Sequence, residues 1–196
     1  MAYTNDYQAI TGLKKVYMAV QNEDTKDGVS YGEIHEIDSI KSFGVTPNSS
    51  IEKAYAGNRA VQTAQARPGA AFNMEFHSLP EELKEEILGE VRREDGLTYS
   101  NSQQVSPYIG VIAEFTKEDG TSKFIGLTKA LVQPAEESGQ TKEDSVSFGS
   151  ITLEGEAMDR IYDNERKISK NGSDEDFDFS VLSNAVFMDS TATPVA

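Results

Sequence analysis

The sequence predicts a mainly β fold, a β-sandwich or barrel-like body with one flanking α-helix at about 79–93 and a long loop at about 44–70. Three observations predict it. Apolar and polar residues alternate with a period of two in several separate runs. The stretch GVIAEFTKEDGTSKFIGL at 110–127 places two apolar runs around Asp119-Gly120, the mark of a tight hairpin. One stretch, SLPEELKEEILGEVRRED, carries a strong helical period. The 196 residues suit a single domain over 1–196, with its ends at 1–10 and 189–196 expected to be mobile.

Taken in order, Val16, Met18 and Val20 alternate with Lys15, Tyr17, Ala19 and Gln21, which reads as a half-buried strand stopped by Asp27-Gly28. Between 33 and 43, Ile34, Ile37, Ile40 and Phe43 recur every third residue as on a helix face. The β-branched isoleucines and the approach to Pro47 favour an extended chain equally. From 44 to 70 no buried face is evident, and Ser49 with Glu52 has the spacing of a capping box for one helical turn. Structureless loops of that length in a compact domain are usually functional or disordered. Phe72, Met74 and Phe76 then alternate with Asn73, Glu75 and His77.

The helix follows. Ser78 is placed to cap it, Pro80 suits its first turn, and Leu79, Leu83, Ile87 and Val91 form its apolar stripe. Gly89 weakens or ends it. In the hairpin, Ile109, Val111, Ala113 and Phe115 share one face of the first strand. Phe124, Gly126 and Thr128 alternate with Ile125, Leu127 and Lys129 in the second. Residues 145–157 read as a strand in which Gly149 and Gly155 suggest a bulge or close packing. The charged region 158–176 has little pattern, and Phe177, Phe179 and Val181 alternate as a last strand.

Composition excludes several functions. A formal net charge of −15 repels nucleic acid and anionic membrane. Zero cysteines exclude disulfides and thiolate chemistry. The longest apolar run, Ile109 to Ala113, is far short of the roughly 20 residues that span a bilayer. The N-terminus lacks the basic start and apolar core of a signal peptide.

Chemistry is equally sparse. His35 and His77 lack partners at metal-binding or base spacing. Glu75, Glu114 and Glu154 lie in strands able to line one glycosidase groove, but with 33 acids in the chain some pair always looks plausible. NGSDEDFDF at 171–179 lacks the glycine and late glutamate of an EF-hand and reads as a solvated turn. Arg92-Arg93 suits a helix end, and no phosphate loop or basic patch interleaved with aromatics is present. No catalytic residue, cofactor or metal is expected.

Four stretches in order carry a resemblance: TGLKKVYMAVQNEDTKDGVSYGEIHEI from Thr11, YAGN at 55–58, FHSLPEELKEEILG at 76–89 and SPYIGVIAEFTKEDGTSKFIGLTKALV at 106–132. Together they resemble the major tail (tail tube) protein of long-tailed phages (siphoviruses) of Gram-positive bacteria, over about residues 11–157. One departure is Gly57, where that motif usually has Asp. The resemblance implies a non-enzymatic virion protein, made in the host cytoplasm. Six copies form a ring whose sheets join into one barrel, and rings stack around a tape-measure protein, alongside other tail proteins. DNA passes through the channel without specific binding, and no membrane is involved. Long loops, that before the helix included, reach neighbouring subunits, so Tyr55, Ala56 and Asn58 are the candidate inter-subunit contact. The alternative for that loop is an Ω-loop packed on its own subunit.

This fits the residues. Open sheets have unpaired edges that invite other strands, and a closed ring satisfies them. Acids facing a channel would keep DNA sliding, although −15 also serves solubility. Two rivals remain at this stage: a β-sandwich adhesion or carbohydrate-binding module, and an acidic hydrolase. The absence of tryptophan counts against both.

Overall fold

The computed structural model describes residues 8–56, 59–101, 103–133, 136–137, 149–172 and 178–188. The expected mobile ends fall largely outside these, at 1–7 and 189–196, while Ile10 already pairs with Lys117. The first strand, β1 (Ile10–Asp24), follows its alternation: Val16 and Met18 are fully buried on one face and Ala19 is buried on the other. Two short strands, β2 (Val29–Tyr31) and β3 (His35–Ile37), run antiparallel to it. The stretch 33–43, open between helix and strand in the sequence, is extended. It passes from β3 into β4 (Ile40–Ala56), burying Ile37 and Ile40.

The expected loop at 44–70 is instead a strand pair. β4 runs antiparallel to β5 (Arg59–Phe76), from Ile40 opposite Phe76 out to Ala56 opposite Arg59. The capping turn at Ser49–Glu52 does not form, because Glu52 lies in the ladder opposite Ala64. Near the body, Phe72, Met74 and Phe76 are buried as their alternation requires.

The helix, α1, spans Glu81–Leu88 rather than 79–93. Pro80 occupies its N-cap, with no side-chain cap bond from Ser78 or elsewhere. At the other end Gly89 takes φ 70°, and its N–H returns to the carbonyls of Glu85 and Glu86. A left-handed residue cannot continue the helix, so Val91 leaves the apolar stripe and stands 54% exposed. It belongs to a small hairpin of β6 (Val91–Arg92) and β7 (Thr98–Tyr99). Leu83, Ile87 and Leu88 are buried.

The hairpin at 110–127 forms as read, from β8 (Tyr108–Lys117) and β9 (Ser122–Val132). Gly120 takes φ 80°, while the Asp119 carboxylate accepts the Thr121 N–H at 2.9 Å and its hydroxyl at 2.6 Å. After β10 (Glu136–Glu137) comes β11 (Ile151–Met158). At Gly155 a side chain would strike the Leu131 carbonyl and the Phe72 ring, the close packing its glycine implied. The rest of that predicted strand, 145–148, lies outside the described residues. The weakly patterned region holds β12 (Lys167–Asn171), paired with β9.

The last predicted strand is in fact a helix, α2 (Phe179–Phe187); residue 177 is outside the described residues. Asp178 caps it, its carboxylate accepting the Ser180 N–H at 2.8 Å. Leu182, Ser183, Val186 and Phe187 then bury at helical spacing. The short alternation over 177–181 straddled a cap and a first turn.

The large sheet runs β2-β1-β8-β9-β11-β5-β4, with β3 on β1, β12 on β9 and β10 on β11, all antiparallel. It curls into a barrel-like body: Phe43 of β4 meets Phe115 of β8 edge-on with ring centroids 6.1 Å apart. Val16, Met18, Val111, Leu127, Leu153 and α1's Ile87 fill the interior. Outside, α2 covers Ala19, Ile112 and Phe124. β8 and β9 are therefore buried on both faces, which is why they read as nearly unbroken apolar runs.

Candidate functional site

Beyond the body, β4 and β5 continue as a two-stranded arm. β5 borders β11 only from Ala70 to Phe76, so residues 49–68 have no third strand among the described residues. The sequence marks the departure point. Pro47 offers no N–H and is confined to an edge, which β4 is. Pro68 falls where the ladder shifts register, between Asn48 and Ser50 of its partner strand. At the root, Asn48 Nδ2 donates to Glu156 Oε1 at 3.1 Å, and the Arg166 guanidinium donates to the Arg67 carbonyl at 3.0 Å. Gly69 leaves room there for the Glu156 carboxylate, which a Cβ would displace.

All the side chains described between 49 and 68 are exposed. Ile51 is 61%, Tyr55 69% and Val61 55% exposed, large apolar groups with nothing covering them. Two of the sequence-selected contact residues, Tyr55 and Ala56, stand at the tip opposite Ala60 and Arg59. Asn58 and its neighbour Gly57 lie outside the described residues. The segment is thus no Ω-loop packed on its own subunit. Sequence reading missed Lys53 and Arg59, which ion-pair with nothing among the described residues. The signal for them was a local excess of cations within an acidic chain.

The other unpartnered features are sheet rims. Among the described residues, β4 pairs only with β5, β12 only with β9, and the Ile10–Lys15 part of β1 only with β8. Each presents backbone N–H and C=O groups on its outer side, a template for another strand.

The residues considered for chemistry are otherwise engaged. Lys41 holds Glu75 at 2.6 Å, and that hydrogen bond keeps the carboxyl below its ordinary range, the wrong direction for a proton donor at neutral pH. Glu114 is buried and accepts from Lys14 at 3.0 Å and from Ser122 at 2.8 Å. Glu154 is exposed on β11 opposite Asn73. His35 Nε2 lies 3.4 Å from Glu86 without hydrogen-bond geometry, and His77 is exposed. Of the run 171–179, residues 173–177 are outside the described residues, and the rest ends β12 and begins α2. Among the described residues no three metal-ligating side chains cluster, and no helix is long and apolar enough to cross a membrane.

The sequence pattern of one family, described as phage tail tube protein, matches residues 8–195. The chain belongs to the phage tail tube protein family. The family is a structural one, its place is the virion tail, and its members associate with themselves and with other tail proteins. Among solved structures, this tail tube protein is similar to a chain of the six-fold symmetrised cryo-EM baseplate of the anti-feeding prophage (AFP). The two share 14% identity and a TM-score of 0.41, over 87% of this chain and 97% of that one. No curated protein sequence matches it.

Proposed function

We propose that this tail tube protein assembles into stacked hexameric rings. The rings form a siphovirus tail tube around a tape-measure protein, and DNA passes through the tube into the host. One observation carries this reading: beyond its root, where Arg166 holds the Arg67 carbonyl, the arm at 49–68 has no third strand and no covering element among the described residues. A lone two-stranded ribbon is marginal in water, so a neighbouring copy supplies its missing contacts. Tyr55 and Ala56 at its tip, together with Asn58, form part of that contact. The free rims of β4, β12 and β1 are completed by copies across the ring. A chain of net charge −15 lining a channel repels the phosphates of passing DNA, so none is retained by counterion release.

The test is assembly of the full chain at rising concentration, followed by sedimentation and negative-stain microscopy. Hollow tubes or six-fold rings of uniform width are expected. Replacing 49–68 by a short turn should leave a folded monomer by circular dichroism and abolish tubes. Tubes formed equally well without the arm, or monomers at every concentration, would overturn the reading.

A further inference from the structure

The arm and the body have opposite charge. Between 49 and 68 stand Lys53, Arg59 and Arg67 against Glu52 alone, a net of +2, while the other residues together carry −17. Alternation puts Ile51, Lys53 and Tyr55 on one face, and Arg59 stands beside Ala56 at the tip. The tip is therefore apolar and cationic at once.

The body holds a groove of matching character. About 430 Å³ in volume, it runs between the 33–37 segment and α1. Ile34 and Leu83 line its apolar part, and Glu33, Glu36, Glu82 and Glu86 line it as well, each of the four exposed and Glu36 already paired with Lys15 of β1. The buried His35 Nε2 on its wall is hydrogen-bonded to nothing.

Topology keeps these two surfaces apart within a copy. The groove lies at the body end of the β4–β5 hairpin: β3 leads into β4 at Ile40, and β5 leaves at Phe76 toward α1. The tip is at the other end of β4, 17 residues long. At about 3.3 Å per residue that is about 55 Å of paired strand. The two strands stay paired over that length despite three register shifts, which sets the tip far from the groove at the body end, so tip and groove meet between copies. Such a contact is heterologous: each copy offers both halves, and repetition closes a ring or propagates a stack.

We infer that the arm tip of one copy seats in the Glu33–Glu86 groove of another, Lys53 and Arg59 meeting its glutamates and Tyr55 its apolar part. This rests on the reading of the chain as self-assembling. It adds that one seat, with electrostatic complementarity, directs the arm.

Charge exchange tests it on the full chain. Lys53→Glu with Arg59→Glu should raise the concentration needed for assembly about tenfold or more, and Glu33→Lys with Glu86→Lys should do the same. Combining all four substitutions should recover most of the loss. Roughly 1 M salt, where the screening length is about 3 Å, should weaken wild-type assembly. All four positions are exposed, and circular dichroism checks that each variant folds. The cysteine-free chain gives a second readout. Assemblies of mixed Tyr55→Cys and Glu82→Cys copies should form an intermolecular disulfide, and Tyr55→Cys with Tyr162→Cys should not. If the wild type assembles but the reversed variants assemble equally well, the four-fold variant is no better than its parents, or the Tyr55–Glu82 cross-link is absent, the groove is not the seat. Failure of the wild type to assemble at all would instead remove the tail tube reading beneath it.

Discussion

Ile112 of β8 has no exposed surface, and Ile51 of β4 is 61% exposed, yet each lies inside a long antiparallel hairpin. The backbone rule is the same in both; the surroundings are not. β8–β9 has the barrel interior on one face and α2 on the other. It is flanked by β1 on one side and by β11 and β12 on the other. The outer half of β4–β5 has neither cover nor flanking strand among the described residues. Burying an isoleucine contributes about 1.5–3 kcal/mol, so the first hairpin is held by the fold while the second has only its own ladder. The difference separates two tasks within one sheet: one hairpin makes the subunit, and the other is left for a neighbour to stabilise.

Amide hydrogen exchange is the widest test of that contrast. In the monomer, amides of Ile109–Ala113 and Phe124–Ala130 should exchange only on global unfolding, and those of 50–66 should exchange at least about a thousandfold faster. On assembly the arm should become protected. Equal protection of the two hairpins in the monomer would mean that the arm is self-sufficient.

The cover over β8–β9 is next. Arg160 is 1% exposed and holds α2 from its C-terminal end, donating to the Val186 carbonyl at 2.8 Å and the Ala185 carbonyl at 3.0 Å while pairing with Asp163. A cation at a helix C-terminus also opposes the negative end of the dipole. Arg160→Ala leaves Asp163 with only the Glu165 N–H, strips two carbonyls of the guanidinium donor, and should cost about 3–5 kcal/mol in urea unfolding. A loss under about 1 kcal/mol would mean that α2 holds by packing alone.

Which parts of this were legible in sequence follows from burial. Val16 and Met18, Phe72 to Phe76, and the two strands around Asp119-Gly120 announce themselves because a core enforces alternation. The arm does not, because its ladder is made by backbone groups that any side chain tolerates. AVQTAQA at 60–66 carries no apolar face to read. α2 was hidden by the brevity of its cap and first turn. Arg160 was hidden because only Asp163 is near it in sequence, while Ala185 and Val186, which make it the anchor of α2, lie 25 and 26 residues on. Of the candidate contact, Tyr55 and Ala56 reach the arm tip, whereas Lys53 and Arg59 needed the charge of 49–68 to be counted against the remainder.

Acid probes the buried ion pair that joins β1 to β9. Asp24 and Lys129 meet at 2.6 Å with 6% and 8% of their side chains exposed. Burial alone pushes the Asp24 carboxyl up. The hydrogen bonds from Lys129 and from the N–H groups of Ile161 and Tyr162 outweigh it, holding the group below its ordinary value of 3.8. A depressed carboxyl stabilises the fold fully above its unfolded pKa, and that contribution is lost as pH falls through the folded pKa. Wild-type stability should therefore drop below about pH 4 more steeply than that of Asp24→Asn. The variant should already be about 1–3 kcal/mol weaker at pH 7. Parallel pH curves for the two proteins would show that the pair does not hold β1 to β9.

The smallest expected effect on the fold completes the comparison. Tyr55→Ala removes a side chain that is 69% exposed and makes no contact that the subunit needs. Its cost in monomer unfolding should be within about 0.5 kcal/mol, the ordinary range for surface substitutions. Ile112→Ala, from the covered hairpin, should cost about 2–5 kcal/mol. The order reverses in assembly. An aromatic anchor desolvated at an interface is among the costliest residues to truncate, so Tyr55→Ala should raise the assembly concentration while the fold stays intact. If Tyr55→Ala destabilises the monomer as Ile112→Ala does, the arm belongs to its own fold, and the division between a hairpin for the subunit and a hairpin for the neighbour fails.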